Sequence, residues 1–328
     1  MVEIKEGLYK NQKSFILESH RLKAELICHG GKLVSLIDKK TGREFFWQNT
    51  KESDYKIVPN GSYYGDGEFS GFDEMFPTIL ECFYEGYPWS GVKLPDHGEV
   101  WSLDWDCQYT NKSIEMKVDG VRLPYSLVKK VSFPKESVVR IDYSVYNKSP
   151  FPMEFIWAAH PLLNMENGAE LYVPESAKEV IVTYCPDKRI GQYGDIQKWP
   201  DFYMSDGGIY KANIMRENLG LHCEKYYFKN KLDEGWFALR YTDNTVVALS
   251  FPVQEVPYMG IWVNEGGAHG QYNIAPEPCT GILDRIDIAK INNKVSTVEA
   301  KSEYKWHLNI SIDEKKLVKY VDENGNIK

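Results

Sequence analysis

Apolar and polar residues alternate along much of this chain, and the alternation has period two. In "VVRIDYSVYN" (138–147), Val139, Ile141, Tyr143 and Val145 fall on one side, against Arg140, Asp142 and Ser144 on the other. That pattern predicts a half-buried strand. "KAELICHGGKLVSLIDKKTGREFFW" (23–47) reads as strand, Gly-Gly punctuation, strand, a polar "DKKTGRE" turn and a further strand. "WFALRYTDNTVVALSFP" (236–252) predicts a hairpin turning at Asp243-Asn244. "YKWHLNISID" alternates Trp306, Leu308 and Ile310 with Lys305, His307 and Asn309, which puts His307 on a polar face. Helical patterning is scarce, and "DEKKLVKYVDE" (313–323) is the best helix expected. No fixed-period repeat or low-complexity linker divides the chain, so residues 1–328 are expected to form a single large antiparallel β domain of two stacked sheets.

Composition sharpens this picture in three ways. Aromatics reach 14%, with 22 Tyr and 9 Trp, which suits strands and supplies flat apolar platforms with polar handles. A net charge of −8 with no basic block argues against nucleic acid and anionic membrane as partners. The opening "MVEIKEGLYKNQKSF" lacks the apolar stretch of a signal peptide, and no run is long enough to span a membrane. Cysteines 28, 82, 107, 185, 223 and 279 form no CxxC pair and are expected as reduced thiols of a cytoplasmic protein.

Three islands break the strand pattern. "GFDEMFPTI" (71–79) with "LPDHGEVWS" (94–102) brings Asp73, Asp96, His97, Glu99 and Trp101. "IWAAHPLLNM" sets one histidine, His160, within an apolar run, either as a core histidine bonded to backbone or as a proton donor in a dry pocket. "NIAPEPCTGILDRID" holds Glu277 between Pro276 and Pro278, which restrict its backbone to an extended, aimed conformation. His97, between Asp96 and Gly98, belongs in a turn. Two imidazoles and one aimed carboxylate suit acid–base chemistry.

"DHGEVW", "WAAHPLLNM" and "APEPCTG", in that order, resemble the aldose 1-epimerase (galactose mutarotase) family, as do "HGGKLVSLIDKKTGREFFW" and "GFDEMFPTI". The resemblance runs from about residue 20 to the end. It implies a galactose mutarotase-like β-supersandwich and the interconversion of α and β anomers of a free sugar, without cofactor or metal. Glu277 then matches the base that takes the proton from the anomeric hydroxyl. His160 matches the acid that protonates the ring oxygen, and His97 the histidine that binds near it. Asp73, Glu99 and Trp101 are expected to contact the sugar; for Trp101 a core role is equally open. The family's arginine after "H-G" has no counterpart here, its mid-chain aspartate has no firm match (Asp233 in "KLDEGW" reads rather as a surface turn), and no arginine cluster near the islands suggests a phosphate.

Other chemistries stay open on the residues alone. A sugar-binding protein without turnover would need aromatics and amides more than an acid–base pair. A hydrolase or lyase acting on polymers would need Glu277 to face a second carboxylate, Glu99 or Asp73. A metal at Asp96, His97 and Glu99 would need a further ligand, such as His29 or His269. No G-x-S-x-G elbow supports serine hydrolase chemistry.

Overall fold

The computed structural model describes residues 2–328 and is almost entirely antiparallel β structure. The predicted strands appear where the alternation puts them: Leu22–Ile27 and Leu33–Asp38 flank the Gly-Gly turn, Val138–Asn147 spans the period-two stretch, and Trp236–Arg240 pairs with Thr245–Ser250. Asn244 makes the hairpin turn at φ 69, a left-handed position that asparagine tolerates. Among the described residues the one α-helix is Ile286–Ile291, and none is long and apolar enough to cross a membrane.

The expected helix over 313–323 does not form. The strand Glu303–Glu314 continues through its first residues, and the chain beyond it runs irregularly into a turn closed by a bridge between Val321 and Ile327. Val318, Val321 and Ile327 bury themselves against Trp236, Ala238, Val246 and Ala248. The thin apolar stripe is used to cap a sheet, and that burial outweighs a weak helical tendency.

The chain divides into two compact units, each assembled from segments distant in sequence. One comprises the chain up to His160 together with Thr280–Leu308; the other comprises Pro161–Cys279 with Asn309–Lys328. In the first, Glu3–Tyr9, Gln12–Glu18, Leu22–Ile27, Leu33–Asp38, Phe72–Met75 and Ala158–Pro161 follow one another across a sheet. A second sheet carries Asp106–Tyr109, Ser113–Asp119, Tyr125–Lys135 and Val138–Asn147 in antiparallel succession. In the second unit the strands Tyr272–Cys279, Tyr258–Glu265, His222–Phe228 and Glu179–Tyr184 run side by side, with Ile196–Lys198 at the edge.

One carboxylate organises the core of the first unit. Glu74 is fully buried, and its Oε1 accepts from Lys129 Nζ at 3.1 Å and Tyr143 Oη at 2.8 Å. Its Oε2 accepts from Trp157 Nε1 at 2.8 Å. The rings of Tyr143 and Trp306 stack at 5.1 Å, and Trp157 lies 5.0 Å from each. Three donors from three strands or strand ends thus converge on one anion inside an aromatic cage. Removing one partner of such a buried pair leaves an uncompensated charge. Lys129→Met is therefore expected to cost about 3–5 kcal/mol in urea unfolding, whereas Lys129→Met combined with Glu74→Gln costs clearly less than the two single changes summed.

The cysteines depart from expectation at one pair. Cys28 and Cys107, 79 residues apart, are joined as a disulfide, while Cys82, Cys185, Cys223 and Cys279 are buried and keep their thiols. Spacing along the chain could not reveal this. The pairing arises because residues 28–30 run beside 103–105, with Trp105 N donating to Cys28 O at 3.0 Å and Gly30 N to Leu103 O at 2.8 Å. Thiol titration of the denatured, unreduced protein should count four thiols, rising to six after reductant; six at the outset would mean the pair is reduced.

Candidate functional site

His160 lies on the short strand Ala158–Pro161, 6% exposed, three residues beyond the Trp157 that Glu74 anchors. The strand Phe72–Met75 carries Glu74 towards the aromatic cage and, because successive side chains point to opposite faces, carries Asp73 the other way. Asp73 is 1% exposed, and its Oδ2 accepts from Lys32 Nζ at 3.0 Å and Tyr64 Oη at 2.6 Å. Lys32, also buried, donates in addition to the Glu68 carbonyl at 2.5 Å. Lys10 Nζ and Ser70 Oγ meet the Glu68 carboxylate at 3.2 and 2.7 Å. The result is a buried arrangement of alternating charges around Asp73 and Glu68.

Tyr64 is the link. Its hydroxyl donates to Asp73 and lies 3.3 Å from His160 Nδ1. Burial first, then the charge of Asp73, holds the Tyr64 phenol well above its ordinary range, so it remains a protonated donor to that carboxylate. Its oxygen is then an acceptor for an Nδ1–H of His160. This geometry favours the tautomer in which proton exchange falls to Nε2.

The other face of the Tyr64 ring stacks on His97, with centroids 4.0 Å apart and planes at 6°. His97 does sit in a turn, at φ 58, followed by Gly98 at φ 70. A side chain at Gly98 would run into the Phe76 backbone, so only glycine lets the turn pack there. His97 N donates to Ile79 O at 2.5 Å and Glu99 N to Phe76 O at 2.8 Å, tying the turn to the segment that follows the strand bearing Asp73. Asp96 ties the two residues together: Oδ1 lies 3.0 Å from the His97 ring at Nδ1, and Oδ2 accepts from the Tyr64 backbone N at 3.0 Å. The two imidazole centroids are 5.5 Å apart.

Glu99 and Trp101 take different places from those expected of sugar ligands. Glu99 is fully buried, and its carboxylate accepts from Tyr125 Oη at 2.8 Å, Arg122 Nη1 at 3.1 Å and the backbone of residues 121 and 122. It buttresses the turn rather than facing a ligand, and it does not join Asp96 and His97 around a common point. Trp101 is 4% exposed and meets Tyr64 edge-on at 5.0 Å, with Nε1 donating to Asp96 O at 3.0 Å. Of the two roles open to it, packing is the one observed. Among the described residues no group of three or more His, Cys, Asp or Glu side chains is arranged to hold a metal ion.

Glu277 belongs to the second unit. It lies within the strand Tyr272–Cys279, not in a loop, and is 1% exposed. Lys225 Nζ on the strand His222–Phe228 pairs with its Oε2 at 2.8 Å, supplying the counter-charge a buried carboxylate requires. The same ammonium lies 5.3 Å from the Tyr227 ring. Opposite Glu277 in the register is Gly260, where a Cβ would come within 2.7 Å of the Tyr227 ring. Glycine thereby makes room for Tyr227 beside the carboxylate.

No protein-family model and no curated protein matches the chain. Solved structures do. A galactose mutarotase related enzyme from Lactobacillus acidophilus superposes with a TM-score of 0.64 at 18% identity, covering 93% of this chain and 100% of that one. A galactose mutarotase-like protein from Lactobacillus casei gives 0.63 at 17%, covering 92% and 100%. A Klebsiella pneumoniae protein, described provisionally as an aldose 1-epimerase, gives 0.68 at 12%, covering 94% and 83%. The chain has the galactose mutarotase-like fold.

On this fold, sequence reading missed Tyr64, Asp96's orienting role, Lys32 and Lys225. Tyr64 sits in the glycine-rich "GSYYGDGEF", which carries no period and no acid–base motif. Lys225 hides in the strand "HCEKYYF", where a lysine reads as solvent-facing.

The raised tyrosines predict alkaline behaviour. Tyr64, Tyr125 and Tyr143 are all pushed well above the ordinary value by burial, with Asp73, Glu99 and Glu74 respectively adding to it. The folded state thus holds protons that the unfolded state releases near pH 10, so their stabilising contribution is complete below that pH and is lost as pH rises above it. Absorbance at 295 nm should show these phenols ionising only together with unfolding. Reversible titration of all 22 tyrosines while the far-ultraviolet dichroism stays native would contradict the burial described.

Proposed function

We propose that the protein is a carbohydrate epimerase that interconverts the α and β anomers of a free aldose, with residues 1–328 acting as one functional domain. The observation that carries this reading is His160 held through Nδ1 by the Asp73–Tyr64 relay, on the fold of proteins named for galactose mutarotase. In this reading Glu277 takes the proton of the anomeric hydroxyl. The C1–O5 bond breaks, its electron pair goes to O5, and O5 takes a proton from His160. After rotation about C1–C2 the carbonyl presents its other face. O5 then returns its proton to His160 and attacks C1, and the carbonyl oxygen recovers a proton from Glu277. No electron or group is left over, so the residues themselves account for the cycle. His97, oriented by Asp96, donates a hydrogen bond near the ring oxygen. Asp73 positions His160 through Tyr64, and Glu99 and Trp101 brace the His97 turn.

One observation favours a second reading, a carbohydrate-binding protein without turnover. The Glu277 carboxylate is committed to an ion pair with Lys225, and an ion-paired carboxylate is a weakened base.

Polarimetry on freshly dissolved α-anomers of galactose, glucose, xylose, arabinose, fucose and rhamnose separates the two. Wild type should accelerate mutarotation of at least one, and Glu277→Gln or His160→Asn should each lower kcat by about 10²–10⁴-fold with the dichroism spectrum intact. Acceleration that survives both substitutions would overturn the residue assignment. No acceleration by folded protein on any sugar would leave the binding reading.

A further inference from the structure

The face of the second unit's sheet that bears Glu277 carries more than an ion pair. Strand register places side chains on this face in rows. One row is Ile181, Tyr227, Gly260 and Glu277; the next is Tyr184, Lys225, Trp262 and Ala275. A register shift between Val182 and Tyr184 brings Tyr184 to this face, where regular alternation would have put Thr183. The Tyr184 and Trp262 rings lie 5.9 Å apart with planes at 33°. Tyr184 is 47% exposed and Trp262 half-buried, whereas Tyr227 and Glu277 in the first row are buried. Lys225 stands between the two aromatics in the second row and reaches back to Glu277 at 2.8 Å.

The face therefore grades from a buried carboxylate to an open aromatic surface. The step between the rows is two residues along a strand, or about 7 Å. That separation sets the aromatics beyond a sugar ring whose anomeric hydroxyl meets Glu277, at the place a neighbouring ring would occupy. Tilted, partly exposed Tyr and Trp rings suit the apolar C–H face of a pyranose.

We propose that Tyr184 and Trp262 form a second sugar subsite continuous with Glu277, so that the preferred substrate is the reducing end of a di- or oligosaccharide rather than a lone monosaccharide. This rests on the epimerase reading for its catalytic part only; the subsite is also testable by binding. The platform supplies affinity, and Lys225 fixes the carboxylate beside it.

The experiment compares maltose, cellobiose, lactose and xylobiose with glucose, galactose and xylose, by polarimetry and by isothermal titration calorimetry. At least one disaccharide should exceed its monosaccharide in kcat/KM by about 10-fold or more. Trp262→Ala and Tyr184→Ala should pull that ratio towards one, and Tyr184→Phe, which keeps the ring, should preserve it. Disaccharide binding that is lost in Trp262→Ala, with no mutarotation of any sugar, would sink the epimerase reading and support the subsite. Equal handling of mono- and disaccharides, or a disaccharide preference untouched in folded Trp262→Ala, would overturn the subsite.

Discussion

A single short strand, "FDEM", constrains most of what matters in the first unit. Its two central carboxylates are adjacent in sequence, and strand pleating sends them to opposite faces. Glu74 is bound by Lys129, Tyr143 and Trp157, and Asp73 by Lys32 and Tyr64. Each anion is desolvated, so each is tolerable only if its donors are held in place. The core knot thereby locks the strand, and the strand aims Asp73. The same knot holds Trp157, whose strand continuation bears His160. Site geometry and core stability are two faces of one electrostatic constraint.

The same logic recurs with a different partner in the second unit. Glu277 is buried beside Lys225, and the glycine opposite it leaves room for an aromatic ring. Both units therefore treat their candidate reactive groups alike: little exposure, one firm partner, and an aromatic neighbour. Preorganisation of this kind removes the need for reorganisation when charge moves. It also means that substitutions at these positions test folding as well as chemistry, which is why each variant needs a spectroscopic control.

Relatives of the same fold share only 10–18% of residues with this chain. Such divergence is compatible with one architecture because a β-sandwich asks for alternation and volume, not particular residues. Function is less forgiving, since it depends on a few side chains at defined distances.

Much of the fold was legible from one sequence. Period-two alternation located Val138–Asn147 and the hairpin around Asp243-Asn244, because one buried face leaves an unambiguous trace. The helix expected over 313–323 failed for the converse reason: Val318 and Val321 satisfy a helical stripe and an irregular cap equally well, and only the sheet beneath them chose. Within the site, His97 in its turn and the proline-flanked Glu277 were marked by local backbone chemistry. Residue types and order along the chain thus determined the all-β class and the acid–base candidates. Partnership belonged to tertiary structure alone: Cys28 with Cys107, Tyr64 between Asp73 and His160, Lys225 on Glu277, and Glu99 turned to Arg122 and Tyr125. Those pairings join segments from 9 to 96 residues apart. The free energy of burying a charge beside its counter-charge is a property of the folded interior, and no local pattern encodes it.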